Sequence, residues 1–351
     1  LLGYAGCFQN ADEDNFRIAQ TADLIPYSHS VYTPLTPGRL KNLLFATVCS
    51  DTVYPASSDG GYLSTGKTFL QSYLKAYYVD GILETTSLLD IYGREPLTTN
   101  KVRLEGELFI SNLSAENYTY MGNYVRAFIV EGTQESALDE IITMTPNPNR
   151  NASALLEECQ ELSLEAGFTT IWQEGDKRTR HKIDSGANLF YNFTYLGHPG
   201  TMDPGQEEVS RIQDAMGTHT SMEVALKDID GDGDYDFVWF RDFTDVVLKK
   251  FDFAKMKLTS DRDESFLVND AYYNFAFVAL GDDGETFAPK NFAKNDVLSM
   301  FYEAEEEDIS RIVMYVSKKE VTGKISQAGS DGYGIGDGLY KASACYEEKV
   351  A

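Results

Sequence analysis

Positive charge is scarce in this sequence: 30 lysines and arginines face 55 aspartates and glutamates, a formal net charge of −25 over 351 residues. So negative a chain excludes nucleic acid and anionic membranes as ordinary partners, because phosphate is bound by clustered lysine and arginine. It is compatible with a well-solvated surface and with divalent cations. Cysteine is sparse too. Cys7, Cys49, Cys159 and Cys345 never approach C-x-x-C spacing, which argues against a thiolate zinc or redox site. They leave two disulfides in one of three pairings, or buried thiols. The histidines His29, His181, His198 and His219 include no i, i+4 pair, so a helical zinc motif is absent. There is no G-x-S-x-G elbow, and no apolar run approaches the ~18 residues of a membrane-spanning helix.

What is abundant is aromatic: 22 tyrosines and 20 phenylalanines against 2 tryptophans. Aromatics spaced by glycine- and asparagine-rich turns favour strands. The expected fold is mainly β with a few short helices. Residues 40–50 read as a buried strand. Residues 68–80 carry Phe69, Leu70, Tyr73, Leu74, Tyr77 and Tyr78 at helical spacing, with Gly81 as a stop. Residues 101–111 alternate as a half-buried strand, and 124–131 read as its neighbour after the loop at Met121-Gly122-Asn123. Pro146-Asn147-Pro148-Asn149 is the linker candidate, giving β-rich domains 1–146 and 147–351. A short helix from Ser153 to Gly167 is expected next. Strands follow at 187–196, 222–227, 236–240, 245–253, 272–280 and 311–317.

The densest chemistry lies at Asp228-Ile229-Asp230-Gly231-Asp232-Gly233-Asp234-Tyr235-Asp236. Calcium takes six to eight oxygens at ~2.3–2.6 Å, and one loop supplies them by turning alternate side chains inward. Asp228, Asp230 and Asp232 occupy loop positions one, three and five, and Gly233 allows the sharp turn. Asp234 offers its carbonyl and Asp236 a carboxylate. Position twelve, an acidic ligand in an EF-hand, is Trp239, and Phe237-Val238-Trp239-Phe240 reads as a strand. An EF-hand-type helix running through Phe243, Val246, Val247 and Phe251 is the alternative. The cofactor expected is Ca2+.

Leu226 to Val238, with its D-x-D-G-D-G-x-x-D core leading into a strand, resembles the FG-GAP or VCBS-type repeat. Phe277-Val278-Ala279-Leu280-Gly281-Asp282-Asp283-Gly284-Glu285-Thr286-Phe287 resembles that family's other element, a strand ending in L-G-(N/D)-G-D-G-T-F. The resemblance covers about residues 224–290 and implies a structural calcium in a β-rich extracellular protein. The two elements stand further apart than in a typical repeat. One loop also falls short of the ~4–8 blades of a propeller. The expectation is therefore a single such unit embedded in β-sandwich-like domains.

Other segments carry weaker signals. Gly61 to Thr68 fits G-x-x-x-x-G-K-[ST], but no buried strand leads directly into it; a glycine-rich turn entering a helix is the plainer reading. Asn112, Asn117, Asn151 and Asn192 begin glycosylation sequons, and Glu305 to Asp308 reads as a solvated turn. Leu2-Gly3-Tyr4-Ala5-Gly6-Cys7 resembles the end of a lipoprotein signal, which would make Cys7 the lipidated residue. The basic run Lys177-Arg178-Thr179-Arg180-His181-Lys182 is the place where an acidic surface, most simply a second copy, would dock. The uncharged stretch Leu1–Phe8 is the matching candidate to add to a neighbour's sheet edge. The expected function is non-enzymatic: a secreted or cell-surface, calcium-stabilised structural or adhesive subunit, a homo-oligomer or filament member. The alternatives are a carbohydrate-binding surface protein with glycan as partner, and an extracellular hydrolase.

Overall fold

The computed structural model describes residue 20 and residues 36–55, 62–133, 137–147, 152–156, 159–162, 171–173, 180–203, 205–215, 222–268, 276–305, 308–329, 332–336 and 338–340. The chain forms two compact units, Leu1–Val79 with Ala127–Thr143, and Asp80–Arg126 with Met144–Ala351. Strands dominate and are distributed over several sheets, with no propeller.

In the first unit, helix α1 (Pro37–Cys49) replaces the strand expected over 40–50. Its start is set locally. Thr36 stays extended and its hydroxyl accepts the amide of Arg39 at 3.3 Å, while Pro37 occupies the first turn, where its missing N–H costs nothing. No residue of α1 is fully buried. Cys49 closes the helix, while Cys7 and Cys345 lie outside the described residues. Strands β1 (Asp51–Pro55) and β2 (Tyr62–Thr68) then pair antiparallel. The helix expected over 68–80 is also corrected: a single π-turn, Leu70–Leu74, ends where Lys75 enters the left-handed region, and β3 (Ala76–Thr85) begins. Tyr77, Tyr78 and Val79 are strand formers, and their neighbours in the strand outvote the helical spacing.

Strands β4 (Lys101–Leu104), β5 (Glu107–Ser111), β6 (Tyr124–Val130) and β7 (Glu140–Pro146) follow, and β3-β4-β5-β7-β6 close a barrel. The strand expected over 101–111 is thus a hairpin turning at Glu105-Gly106. The turn shifts the register, so Val102 and Leu104 are buried before it and Phe109 after it, while Leu108 is exposed. The short helix α2 (Ser114–Thr119) lies between β5 and β6.

The second unit continues through β8 (Ala152–Leu156), β9 (Cys159–Leu162), β10 (Ile171–Gln173) and β11 (Arg180–His181). Strands β8 and β9 stand where a helix after Ser153 was expected. β8 is held as the outer partner of a sheet, so pairing overrides the local helical spacing of Leu155, Leu156 and Cys159. Next come β12 (Ile183–Tyr191), β13 (Thr194–Gly197), helix α3 (Glu207–Ala215), β14 (Met222–Asp228) and β15 (Tyr235–Asp242). They build a five-stranded sheet in the order β13-β12-β15-β14-β8. Strands β16 (Thr244–Asp252), β17 (Lys257–Ser260), β18 (Ser265–Val268), β19 (Ala276–Gly281), β20 (Val297–Glu305) and β21 (Asp308–Ser317) build a second sheet, in the order β18-β17-β16-β20-β21-β19. A last small sheet holds β22 (Ile325–Gly329), β23 (Gly332–Ile335) and β24 (Gly338–Tyr340). Because β16 is a strand, the EF-hand-type helix through Phe243 and Phe251 does not form.

Both large sheets contribute to one apolar cluster. Phe237 and Trp239 come from the first sheet, Phe301 and Val313 from the second, and Leu88, Tyr118 and Met121 from the segment before β6. The opposite face of the first sheet buries Val238 and Phe240 with Ile212 of α3. Every residue from Phe237 to Arg241 is therefore buried, which is why this strand is a continuous apolar run rather than an alternating one. Fully burying each large side chain here contributes about 2–3 kcal/mol. Among the described residues no helix is long and apolar enough to cross a membrane.

Candidate metal centre

The antiparallel pair β14–β15 sets the site. Its register, Leu226↔Val238 and Lys227↔Phe237, leaves Ile229 to Asp234 as the connecting loop. Two residues in that loop, Gly231 at φ +84° and Gly233 at φ +96°, adopt a backbone that an L side chain resists. They curl the loop so that its amides and carboxylates face each other. Asp228, at the end of β14, is only 6 % exposed. Its two oxygens accept the amides of Gly231 at 2.7 Å and Gly233 at 3.0 Å. From the start of β15, Asp236 Oδ2 accepts the amide of Ile229 at 2.7 Å and that of Asp230 at 3.3 Å.

The structure brings together three of the five predicted ligands. Carboxylate oxygens of Asp228, Asp230 and Asp236 lie within 4.8 Å of one another, close enough to hold one metal ion. The donors are all hard oxygens, so the set suits a hard cation rather than a soft or thiolate-bound one. Asp232 lies outside that cluster, its Oδ1 accepting the amide of Asp234 at 2.8 Å, and the Asp234 carboxylate pairs with the Lys182 ammonium, a pairing that does not involve the backbone carbonyl expected as its ligand. Trp239, at the twelfth loop position, is buried in β15 with its indole N–H donated to the carbonyl of Asn192, so it takes no part.

The carboxylates of the cluster perturb one another. Burial raises the Asp236 pKa above the usual carboxylate range, against the amides of Ile229 and Asp230, which lower it; the charges of Asp230 and Asp228 push it further up. Lys182, whose own pKa is raised by its bond to Asp234, supplies one positive charge from the β11–β12 junction. The sequence named Lys182 only as part of a docking patch. Its pairing within the chain follows from β12 running parallel beside β15, with Ile183 opposite Tyr235. The signal was present as a lone basic cluster in an acidic chain, but the partner needed the register.

The other sequence candidates separate cleanly. Lys67 and Thr68 lie in strand β2, with Thr68 opposite Asp51, so the described part of the G-x-x-x-x-G-K-[ST] match is a hairpin arm and not a phosphate loop; Gly61 lies outside the described residues. His198 Nδ1 sits 3.1 Å from the carbonyl of Ala187, a structural contact. His181 meets the Tyr235 hydroxyl at 3.4 Å. Asn117 is tied to Ser111 and Asn192 accepts the amide of Asp242, while Asn112 is exposed. Cys7, Leu1–Phe8, Lys177, Arg178, Thr179, Asn151, His29, His219, Glu306 and Glu307 fall outside the described residues. The L-G-D-D-G-E-T-F segment does end a strand: β19 stops at Gly281, and a turn returns Phe287 to the carbonyl of Ala279. No protein-family model matches the chain, and no curated protein matches it.

Proposed function

We propose that this protein is a non-enzymatic, extracellular, calcium-stabilised structural or adhesive subunit, and that the Asp228–Asp236 loop holds one Ca2+ as a rivet between β14 and β15. The observation that carries this reading is the convergence of Asp228, Asp230 and Asp236 at the mouth of a strand pair whose next residues are core. A cation there neutralises carboxylates that otherwise repel, and it fixes Asp236 one residue before Phe237. The resemblance to an FG-GAP or VCBS-type unit supports the same role. The lack of an acidic twelfth ligand supports an extracellular setting, because weak all-oxygen sites of about 10⁻⁴–10⁻³ M suit the calcium found outside cells.

The ion is structural in this reading. Ligand binding to the folded state stabilises it by about 2.7 kcal/mol at a hundredfold excess over Kd. For a unit of this size that is about 5–10 °C in melting temperature. Melting curves in calcium and in excess chelator test it. The reading expects a lower Tm in chelator, restored by added calcium but not by added sodium at equal ionic strength. Superimposed curves would remove the structural role.

A further inference from the structure

A second concave site lies away from the aspartate loop, where serines enter the inner face of the larger sheet. Along β21 that face carries Val313, then Tyr315, then Ser317; along β20, paired with it, Phe301 is followed outward by Ser299. The turn after β19, Asp282-Asp283-Gly284, folds over these ends and leaves a cavity of about 460 Å³. That lies within the ~300–1,000 Å³ typical of small-ligand sites.

Its lining is mixed. The partly exposed Tyr315 side chain and the two glycines of the turn offer apolar surface, and the hydroxyl oxygens of Ser299 and Ser317 offer acceptors; Val316 points to the opposite face, where its side chain is buried. Much of the polar framework is braced from behind. The Tyr315 hydroxyl meets that of Tyr118 at 3.1 Å, and Ser299 donates to Asp245 at 2.6 Å. Asp282 accepts the amide of Lys318 at 3.4 Å and pairs with the Lys319 ammonium at 3.5 Å. Asp283 uses one oxygen on the amide of Glu285 at 3.0 Å. Braced groups of this kind present their remaining hydrogen-bonding capacity at fixed positions, which is what orients a polar ligand.

The chemistry narrows the ligand. Carboxylates at the rim reject phosphate and other anions. Asp282 is already compensated by Lys319, and among the described residues this turn does not join a three-carboxylate cluster of the kind seen at Asp228. A neutral molecule rich in hydroxyls fits: its O–H groups donate to Asp283 and to the oxygens of Ser299 and Ser317, whose own hydrogens go to Asp245 and Asp282, while its C–H face lies against Tyr315 and glycine. We propose that this mouth binds one neutral saccharide unit.

Saturation-transfer NMR on the full chain tests this, with the methyl glycosides of glucose, galactose, mannose and N-acetylglucosamine as probes. Transfer to at least one glycoside is expected, at least tenfold weaker in Asp283→Asn and in Ser317→Ala. Asparagine keeps the acceptor for the Glu285 amide, and a melting curve of each variant confirms the fold; if one variant melts early, the other decides. No transfer to any of the four overturns the proposal, as does binding unchanged in a folded variant. A shift of the Gly281–Gly284 amide signals on adding calcium alone also overturns it, since the mouth is then a cation site. Repeating the experiment in chelator separates it from the aspartate loop, which the glycoside does not need.

Discussion

At Asp236 two opposed demands meet. Without a metal its carboxylate is half-buried beside Asp230 and Asp228, and its pKa is raised, chiefly by burial. The folded state then holds this proton more tightly than the unfolded chain does. In the pH window between the unfolded and folded pKa values, this group makes the metal-free protein less stable as pH rises. A bound cation needs the ionised form, so binding releases a proton in the same window and weakens as pH falls through it. Asp236→Asn should therefore abolish calcium binding yet melt no lower than wild type in chelator, as scanning calorimetry can show. Lys227 gives a second test. Burial, aided by Arg241, lowers its pKa to about 8 from 10.5. The unfolded chain binds more protons between those values, so stability rises with pH across about 8 to 10.5. Lys227→Met should add about 2–3 kcal/mol at pH 7, and much less at pH 10.5. Which aspartates converge was only partly legible from spacing. Alternation nominates four carboxylates and the carbonyl of Asp234; three of the carboxylates converge, and the Asp234 side chain goes to Lys182, a partner 52 residues away that no local pattern names.

Among the elements, the β14–loop–β15 unit was the most legible, because the aspartate-glycine run and the apolar strand behind it agree. Its weak point is backbone geometry. Gly233 sits at φ +96° with open space around a hypothetical Cβ, so Gly233→Ala meets no clash and costs only conformational strain, about 1–2 kcal/mol, with a matching loss of calcium affinity. Gly38 in α1 also has open space but an ordinary φ, so Gly38→Ala should be neutral or stabilising by about 0.5 kcal/mol. Urea denaturation of the two variants side by side separates strain from packing. In helix α1 the apolar run suggests a strand, while the stronger cue is Thr36-Pro37, a cap followed by a first-turn proline. In β3 the reverse holds: apolar residues at helical spacing precede the alternation that begins at Gly81, where the burial pattern settles into every second residue. Strand β8 is illegible for a different reason, since its state is decided by a sheet partner, β14, distant in sequence.

Over the whole molecule the net charge of −25 resists assembly unless cations or basic segments offset it. The β-rich class was legible from aromatics and turns. The assignment of strands to sheets was not, because β12 beside β15 and β19 beside β21 are parallel crossovers that no hairpin signal marks. If the basic run docks a second copy, sedimentation at high protein concentration in calcium should show association that Arg178→Glu with Arg180→Glu removes and ~1 M salt weakens. Equal behaviour of both proteins would leave the run as solvated surface, apart from Lys182. The central claim is narrower, that one loop binds one calcium. Isothermal titration of the intact protein with calcium measures it most directly. The account predicts a stoichiometry of about one and a Kd of about 0.1–1 mM, both lost in Asp228→Asn. No heat from the wild type, or binding undiminished in that variant, would contradict it.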